Sequence, residues 1–244
     1  MNLKKIENPF GGLTYYKEST RSTMADASET IDEKNIDGSL FITDNQTNGI
    51  GRVSGRKWES SPYQNLTFTL VLDRDTIGKG FGCTPLKAGL ALSKVIKELT
   101  GADAKVKWPN DVLVNGKKIS GILCHSSKGY ILVGVGINVN QLVFDKDIED
   151  NTTSLSKISN NGYNLEMVLT KFLNTFYETL RSSTWLSELN SSLYRQGEEV
   201  RFSVGNPDNN NIVEGVLQGL DDQGKVIIIS ESGDSSSYLS GEFI

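Results

Sequence analysis

Lys107-Trp-Pro-Asn-Asp111-Val-Leu-Val-Asn115-Gly116-Lys-Lys118-Ile-Ser-Gly121 carries the strongest turn signal in the chain. Asn115-Gly116 lies between two short alternations of apolar and polar residues, the pattern of a two-residue β-hairpin. Pro109 biases Trp108 toward extended backbone and has no N–H for a ladder, which places the start of the first strand near Asp111. Lys107 then stands at the mouth of the hairpin, beside a large aromatic and two short polar side chains. The residues alone leave two readings open: a cation holding an anionic substrate, or a surface lysine next to a packed tryptophan.

Around this hairpin the chain reads as a globular α+β protein. Its 244 residues suffice for one large domain or a large one with a small one. Net charge is −5 with no basic run, which disfavours bulk nucleic-acid binding. No apolar stretch approaches the roughly 20 residues of a membrane span, and Met1 to Phe10 lacks the apolar core of a signal peptide. Cys83, Cys124 and the single His125 form no zinc or redox motif, so the cysteines read as thiols of a reducing compartment, by default the cytoplasm.

Upstream, Leu13 to Tyr16 reads as a first strand, and Ser22 or Thr23 as the cap of a following helix with Asp26 near the capping-box position. The hydroxyls and free amides there serve either as a plain cap or as donors to a small polar ligand. Ser39 to Thr43 is a strand leading into one long loop, Asp44 to Trp58, with Gly49, Gly51, Gly55, Arg52, Arg56, Lys57 and Trp58. Glycines that turn amides inward and cations beside them suit a phosphate, and Trp58 offers a flat face for a purine or for the core. The loop is neither a Walker A sequence nor a dinucleotide fingerprint; a solvated loop is the alternative.

Asn65 to Leu72 alternates as a half-buried strand, Pro85 opens a helix to about Thr100, and Ala104 to Lys107 is a strand entering the opening motif. Tyr130 to Val135 is a central strand ending in Gly134-Val-Gly136-Ile-Asn138-Val-Asn140, whose small residues and amide edges suit close approach and an adenine edge. Asp145 to Gly162 reads as irregular and Tyr163 to Ser182 as a long amphipathic helix. After a composition shift at Trp185 to Gln196, short strands (Glu199 to Val204, Ile212 to Leu220, Lys225 to Ser230) predict a small barrel, with Ser232 to Ser237 as a loop.

Lys107-Trp-Pro-Asn-Asp111, Lys118-Ile-Ser-Gly121-Ile-Leu and Gly134-Val-Gly-Ile-Asn138-Val-Asn140 resemble biotin–protein ligases in order and spacing. Ser22-Thr23-Met24, the Gln46-Thr-Asn-Gly49-Ile50-Gly51-Arg52 loop, and the closing Gly219 to Gly224 and Ser240-Gly-Glu242 extend the resemblance from about residue 13 to the end. It implies a central mixed sheet flanked by helices, of the class II synthetase or biotin/lipoyl ligase kind, over residues 1–190, and a C-terminal SH3-like small β-barrel over 191–244. It implies an ATP-dependent enzyme that forms biotinyl-5′-AMP and moves biotin to a lysine of a biotin carboxyl carrier protein of a carboxylase such as acetyl-CoA carboxylase. ATP and biotin are then substrates, with Mg²⁺ expected on the ATP phosphates and no metal ligand firmly assigned.

Carried over by position, Lys107 and Arg52 are the catalytic candidates. Ser22, Thr23, Met24, Gln46, Gly49, Ile50, Gly51, Arg52 and Lys107 are candidates for biotin, and Arg52, Arg56, Lys57, Trp58, Lys118 and Asn138 for the nucleotide. Two departures stand out: Ile50 where the family's Gly-Arg-Gly-Arg has arginine, and one extra residue before Trp58, so that either Arg56 or Lys57 fills the usual cationic position. Lipoate–protein ligase is the nearest alternative and a non-catalytic biotin binder another. The tight Lys-Trp-Pro-Asn-Asp and the C-terminal module favour biotin, and the cations beside the glycines favour turnover. Fewer than twenty residues precede the first motif, so no winged helix and no DNA partner are expected; the resemblance leaves monomer and homodimer both open.

Overall fold

A computed structural model of the chain describes residues 6–31, 36–53, 55–205 and 211–244; Met1 to Lys5, at the start of the segment judged not to be a signal peptide, and Ser54 of the glycine loop lie outside them. Two sheets organise the molecule. In the larger, β1 (Thr14–Thr20), β2 (Leu40–Gln46), β5 (Leu66–Asp73), β9 (Tyr130–Ile137), β8 (Lys117–Ser127), β7 (Asp111–Val114) and β6 (Ala104–Lys107) follow one another in that order. Only β1 and β2 run parallel; every other pair is antiparallel, so the sheet is mixed, as expected. β7 and β8 meet at Asn115-Gly116, both with positive φ (51° and 77°), the two-residue turn read from the sequence.

Alternation along the strands gives the sheet two unlike faces. Leu40, Ile42, Phe68, Leu70 and Val133 point toward α3 (Thr84–Thr100) and α5 (Leu165–Arg181), whose Leu92, Ile96, Phe172 and Phe176 complete the main core. α3 begins with proline in its first turn and stops at Gly101, whose φ of 74° only glycine adopts freely; Asn164 caps α5 through its side chain. On the opposite face, α1 (Thr23–Thr30) packs on Phe41, Val71 and Leu132 and reaches Thr69 and Gly134 at its first turn. That short helix leaves the rest of the face open, and the candidate site lies there.

The second sheet is antiparallel, ordered β13 (Ser235–Tyr238), β12 (Val226–Ile229), β11 (Ile212–Leu220), β10 (Glu199–Val204) and β14 (Gly241–Phe243). Its core extends past the module: Val200, Phe202, Leu217 and Phe243 pack with Leu86 and Leu90 of α3 and with Val106 and Trp108 of the opening motif.

Several local expectations change. The long loop contains a hairpin, β3 (Gly49–Ile50) with β4 (Lys57–Trp58), and Gln46 belongs to β2. The stretch after Asp145 holds the short helix α4 (Leu155–Ser159), capped by Ser154. Trp185–Ser191 forms helix α6, and Ser235–Tyr238 is a strand because β12 supplies it with a ladder that local composition does not signal. α2 (Arg74–Ile77), a short turn capped by Asp73, joins β5 to α3. Among the described residues no helix is long and apolar enough to cross a membrane.

Candidate active site

One register row of the large sheet crosses five strands: Thr67 pairs with Gly136, Gly136 with Gly121, Gly121 with Asp111, and Asp111 with Lys107. Four interstrand steps of about 4.8 Å make this a line of roughly 19 Å. All five residues line a single cavity of about 510 Å³. Two glycines in the middle of the row keep its floor flat and free of side chains of its own.

The β5 end of the cavity is uncharged and rich in hydrogen-bonding groups. Ser22 caps α1, its Oγ accepting the Ala25 N–H at 3.3 Å, while Asp26 pairs with Lys17 at 2.7 Å and forms no capping box. Gln46 Oε1 accepts the Thr23 main-chain N–H at 2.9 Å and the Thr23 hydroxyl at 3.3 Å. The Thr23 and Thr69 hydroxyls are 2.9 Å apart. Met24 reaches over Gly134, where an added Cβ would lie 2.7 Å from its Cε.

Toward β7 and β6 the cavity becomes ionic. Lys118 Nζ lies 2.7 Å from Asp111 Oδ1, and Lys107 follows along the row. A second hollow of about 330 Å³ continues past Lys107, Asp111 and Lys118 to Asp147 and Asn151. Trp108, by contrast, turns away from the site: it is 3% exposed, donates from Nε1 to the Gly224 carbonyl at 2.9 Å, and packs on Phe202 and Phe243.

The glycine hairpin forms a third wall. Trp58 lies so flat on the floor that a Cβ on Gly136 would come within 2.2 Å of its ring, and its Nε1 is buried without a hydrogen-bond partner. The Gly51 N–H closes the hairpin onto the Arg56 carbonyl at 2.9 Å, so that amide does not face inward as the sequence suggested. The C-terminal module meets the hairpin's cations: Arg56 Nη1 donates to Glu242 Oε1 at 2.8 Å, Arg52 Nη2 sits 3.7 Å from Glu242 Oε2, and the same Nη2 donates to the Gly241 carbonyl at 3.3 Å. Glu242 holds the Arg56 guanidinium above its ordinary pKa.

The structure thus gathers Ser22, Thr23, Met24, Gln46, Ile50, Gly51, Arg52, Arg56, Lys57, Trp58, Lys107 and Lys118 around one cavity. Gly49 and Asn138 stand behind the wall. A Cβ on Gly49 would strike the Trp58 carbonyl at 2.4 Å, making it a packing glycine. Asn138 is 2% exposed; its Nδ2 donates to Thr153 while Thr153 N–H bonds to the Lys118 carbonyl, so it braces the strand that carries Lys118. Sequence reasoning missed Thr69, Leu123 and Glu242. The Leu-Thr-Phe-Thr alternation of β5 was visible but looked like a solvent face, and Glu242, quoted in the closing Ser240-Gly-Glu242 motif, was given no role in the site. Among the described residues no cluster of three or more histidine, cysteine or acidic side chains could hold a metal. Burial pushes the Cys124 thiol up to about 12, which keeps it protonated and inert at neutral pH.

Residues 16–141 match the model of the biotin/lipoate A/B protein ligase family. The biotin protein ligase of Aquifex aeolicus, solved in complex with biotin and ATP, is 33% identical, with 95% of this chain and 97% of that one covered and a TM-score of 0.81. The biotin–[acetyl-CoA-carboxylase] ligase of Mycobacterium tuberculosis is 28% identical over 86% of this chain and 80% of its own length. The bifunctional ligase/repressor BirA of Bacillus subtilis is 28% identical over 91% of this chain and 71% of that protein.

Proposed function

We propose, for a chain that belongs to the biotin/lipoate A/B protein ligase family, a two-step reaction laid along the row from Thr67 to Lys107. The enzyme is a biotin–protein ligase that activates biotin with ATP and transfers it to a lysine of a carrier protein. The observation that carries the residue roles is the polarity of that row: uncharged hydrogen-bonding groups over β5, two glycines in the middle, then Asp111 of β7 paired with Lys118, and the Lys107 cation of β6 at the far end. A ligand with a neutral polar ring at one end and a carboxylate–phosphate junction at the other suits this order.

In the first step a biotin carboxylate oxygen attacks the α-phosphorus of ATP, the bond to the β-phosphate bridging oxygen breaks, and pyrophosphate leaves. Both reactants are anions, so the protein's task is to position them and supply positive charge. Lys107 and Arg52 do this at the junction. Lys118, Arg56 and Lys57 serve the nucleotide, and the unpartnered Trp58 Nε1 offers one more donor. Mg²⁺ would travel with the phosphates. The only cavity carboxylates among the described residues, Asp111 and Glu242, are already paired with cations, which suits an ion held mainly by phosphate and water, with Asp111 contacting a water of its shell.

In the second step the neutral amine of the carrier lysine attacks the acyl carbon, the carbon–oxygen bond to phosphate breaks, AMP takes the electron pair, and the amine gives up a proton. No enzyme nucleophile is needed. The glycine hairpin serves as lid, shielding the anhydride from water. Residues 1–190 form the catalytic part and 191–244 the C-terminal module. Two free thiols support a cytoplasmic setting, and the edge position of β1 supports a homodimer paired through that edge.

Mass spectrometry of a biotin-carrier domain after incubation with enzyme, biotin and Mg-ATP tests the proposal. One biotinyl group on a lysine, lost in Lys107→Ala, is the expected result. Labelling with lipoate in place of biotin would overturn the substrate assignment, and normal labelling by Lys107→Ala would overturn the role of Lys107.

A further inference from the structure

The second hollow, about 330 Å³, opens from the reacting end of the main cavity and shares Lys107, Asp111 and Lys118 with it. Ligand pockets run from about 300 to 1,000 Å³, so this is room for a small group or a side chain. Its walls are fixed. Tyr194 enters from the stretch between α6 and β10, where its N–H bonds to the Val106 carbonyl at 2.9 Å, one residue before Lys107. Thr152 forms a parallel bridge with Lys118. Asp147 and Ile148 stand in a turn closed by the Ile148 N–H on the Asp145 carbonyl at 3.0 Å. Gly116, at the tip of the β7–β8 hairpin, adds no side chain to the rim.

Two species must pass the Lys107 end in the two-step reaction: pyrophosphate going out and an amine coming in. The charge of the hollow chooses between them. Asp147 lines it, Asp145, Glu149 and Asp150 are exposed in the same loop, and no cation among the described residues pairs with Asp147. A wall of that sign repels a polyanion and attracts an ammonium. The apolar side chains of Leu113 and Ile148 and the Tyr194 ring suit the four-carbon stem behind such an ammonium, and an aromatic face adds its own attraction for the cation. The inner end carries the opposite sign in Lys107, with Lys118 already held by Asp111 at 2.7 Å. A cation there disfavours the charged form of an arriving amine, which sheds a proton as it advances.

We propose that this hollow is the entry channel for the carrier's lysine side chain, with Asp147 and Tyr194 receiving its ammonium at the mouth. The inference rests on the biotin–protein ligase reading and assigns that reaction its acceptor route. The ammonium leaves its first proton to water beside Asp147. The amine nitrogen then forms the bond to the acyl carbon, the carbon–oxygen bond to phosphate breaks with its electron pair going to AMP, and the second proton leaves the new amide nitrogen.

Asn151, exposed on the rim of the hollow, provides a place to block it. Asn151→Cys is alkylated with N-ethylmaleimide, which Cys83 and Cys124 resist because burial keeps both thiols protonated, and the same protein is compared before and after. Biotin-dependent exchange of pyrophosphate into ATP reads the first step, and single-turnover transfer from biotinyl-5′-AMP to a carrier domain reads the second. Alkylation should slow transfer at least about tenfold and leave exchange within about twofold. Asp147→Lys, which reverses the charge of the wall, should raise the KM for the carrier about tenfold, weaken the rise of that KM with salt, and again leave exchange within about twofold. Equal loss of exchange and transfer would make the hollow a pyrophosphate route or a structural element and overturn the inference, as would undiminished transfer after complete alkylation. An unchanged carrier KM in Asp147→Lys would overturn the part given to Asp147. No biotin-dependent exchange by the wild type would instead overturn the reading beneath it.

Discussion

Replacing Glu242 with alanine should release the glycine hairpin in the ligand-free enzyme. The carboxylate bridges two arginines of that hairpin, at 2.8 Å from Arg56 and 3.7 Å from Arg52. Glu242 is only 19% exposed, but the Arg56 side chain is 59% exposed, so the pair must be discounted as a surface ion pair. An exposed pair contributes about 0.2 to 1 kcal/mol, and the longer Arg52 contact adds less, so the tether totals about 1 kcal/mol. That free energy corresponds to about a fivefold change in the open population. The Arg52 contact to the Gly241 carbonyl survives the substitution, so the hairpin loosens without detaching. Limited trypsin digestion reads the open population directly when reclosing outpaces cleavage, and cutting after Arg52 and Arg56 should speed up about fivefold in Glu242→Ala. Glu242→Gln, which keeps an acceptor for Arg56 but no charge, should fall between. High salt should bring the wild type toward the alanine variant, because screening acts on exposed pairs. Digestion of Glu242→Ala within about 1.5-fold of wild type, with an unchanged melting temperature, would refute the tether.

Gly136→Ala drives a methyl group to within 2.2 Å of the Trp58 ring, so the indole must leave the floor; adenylate formation should fall at least about tenfold and stability by about 1 to 3 kcal/mol, read by pyrophosphate release and urea unfolding. Tyr16 donates to Asp44 at 2.5 Å, and that hydrogen bond, with burial and the nearby Asp44 and Glu18 charges, raises its phenol to about 12. A folded-state pKa above the unfolded value of about 10 means this stabilisation is whole below pH 10 and fades as pH rises toward 12, so the urea midpoints of wild type and Tyr16→Phe should converge between pH 8 and pH 11.5; a constant gap would contradict the sign. Cys124→Ser should keep adenylate formation and biotin transfer within about twofold, and the native thiol should resist labelling at pH 8, because burial holds it protonated; loss of transfer in the variant would contradict a second step that needs no enzyme nucleophile.

Much of this was legible in the sequence because it rests on local signals. Asn115-Gly116 fixed the hairpin, proline and Gly101 fixed α3, and the glycines of β9 marked a bare floor. What stayed hidden depends on partners far along the chain. Glu242 meets Arg56 across 186 residues of separation, and no composition window spans that distance. Ser235–Tyr238 looks like a loop until β12 lies beside it. Thr67 and Thr69 alternate with buried leucine and phenylalanine, so a strand with a wet outer face was the natural reading. They are 6% and 0% exposed because α1 and the glycine hairpin cover that face. Asn138 failed in the other direction: its motif looked like a ligand-facing edge, yet its amide braces Thr153.

Trp108 shows why the C-terminal module belongs to the site's construction. The residues flanking it, Lys107 and Pro109, line the cavity, while its own ring lies in the second core against Phe202 and Phe243, with Nε1 bonded to Gly224. A buried tryptophan covers about 150 to 250 Å², which at about 25 cal/mol per Å² corresponds to roughly 4 to 6 kcal/mol of apolar burial. Without the module that ring and the apolar side chains of Val106, Leu86 and Leu90 would face water, on the strand end that sets the position of Lys107. At the other wall the last strand reaches back through Glu242 to the arginines of the hairpin. The module therefore holds two sides of the cavity at once, rigidly through a packed core at Trp108 and loosely through an exchangeable ion pair at Glu242. A site that must stay in register for phosphoryl chemistry, yet open to admit a nucleotide and release pyrophosphate, needs one attachment of each kind.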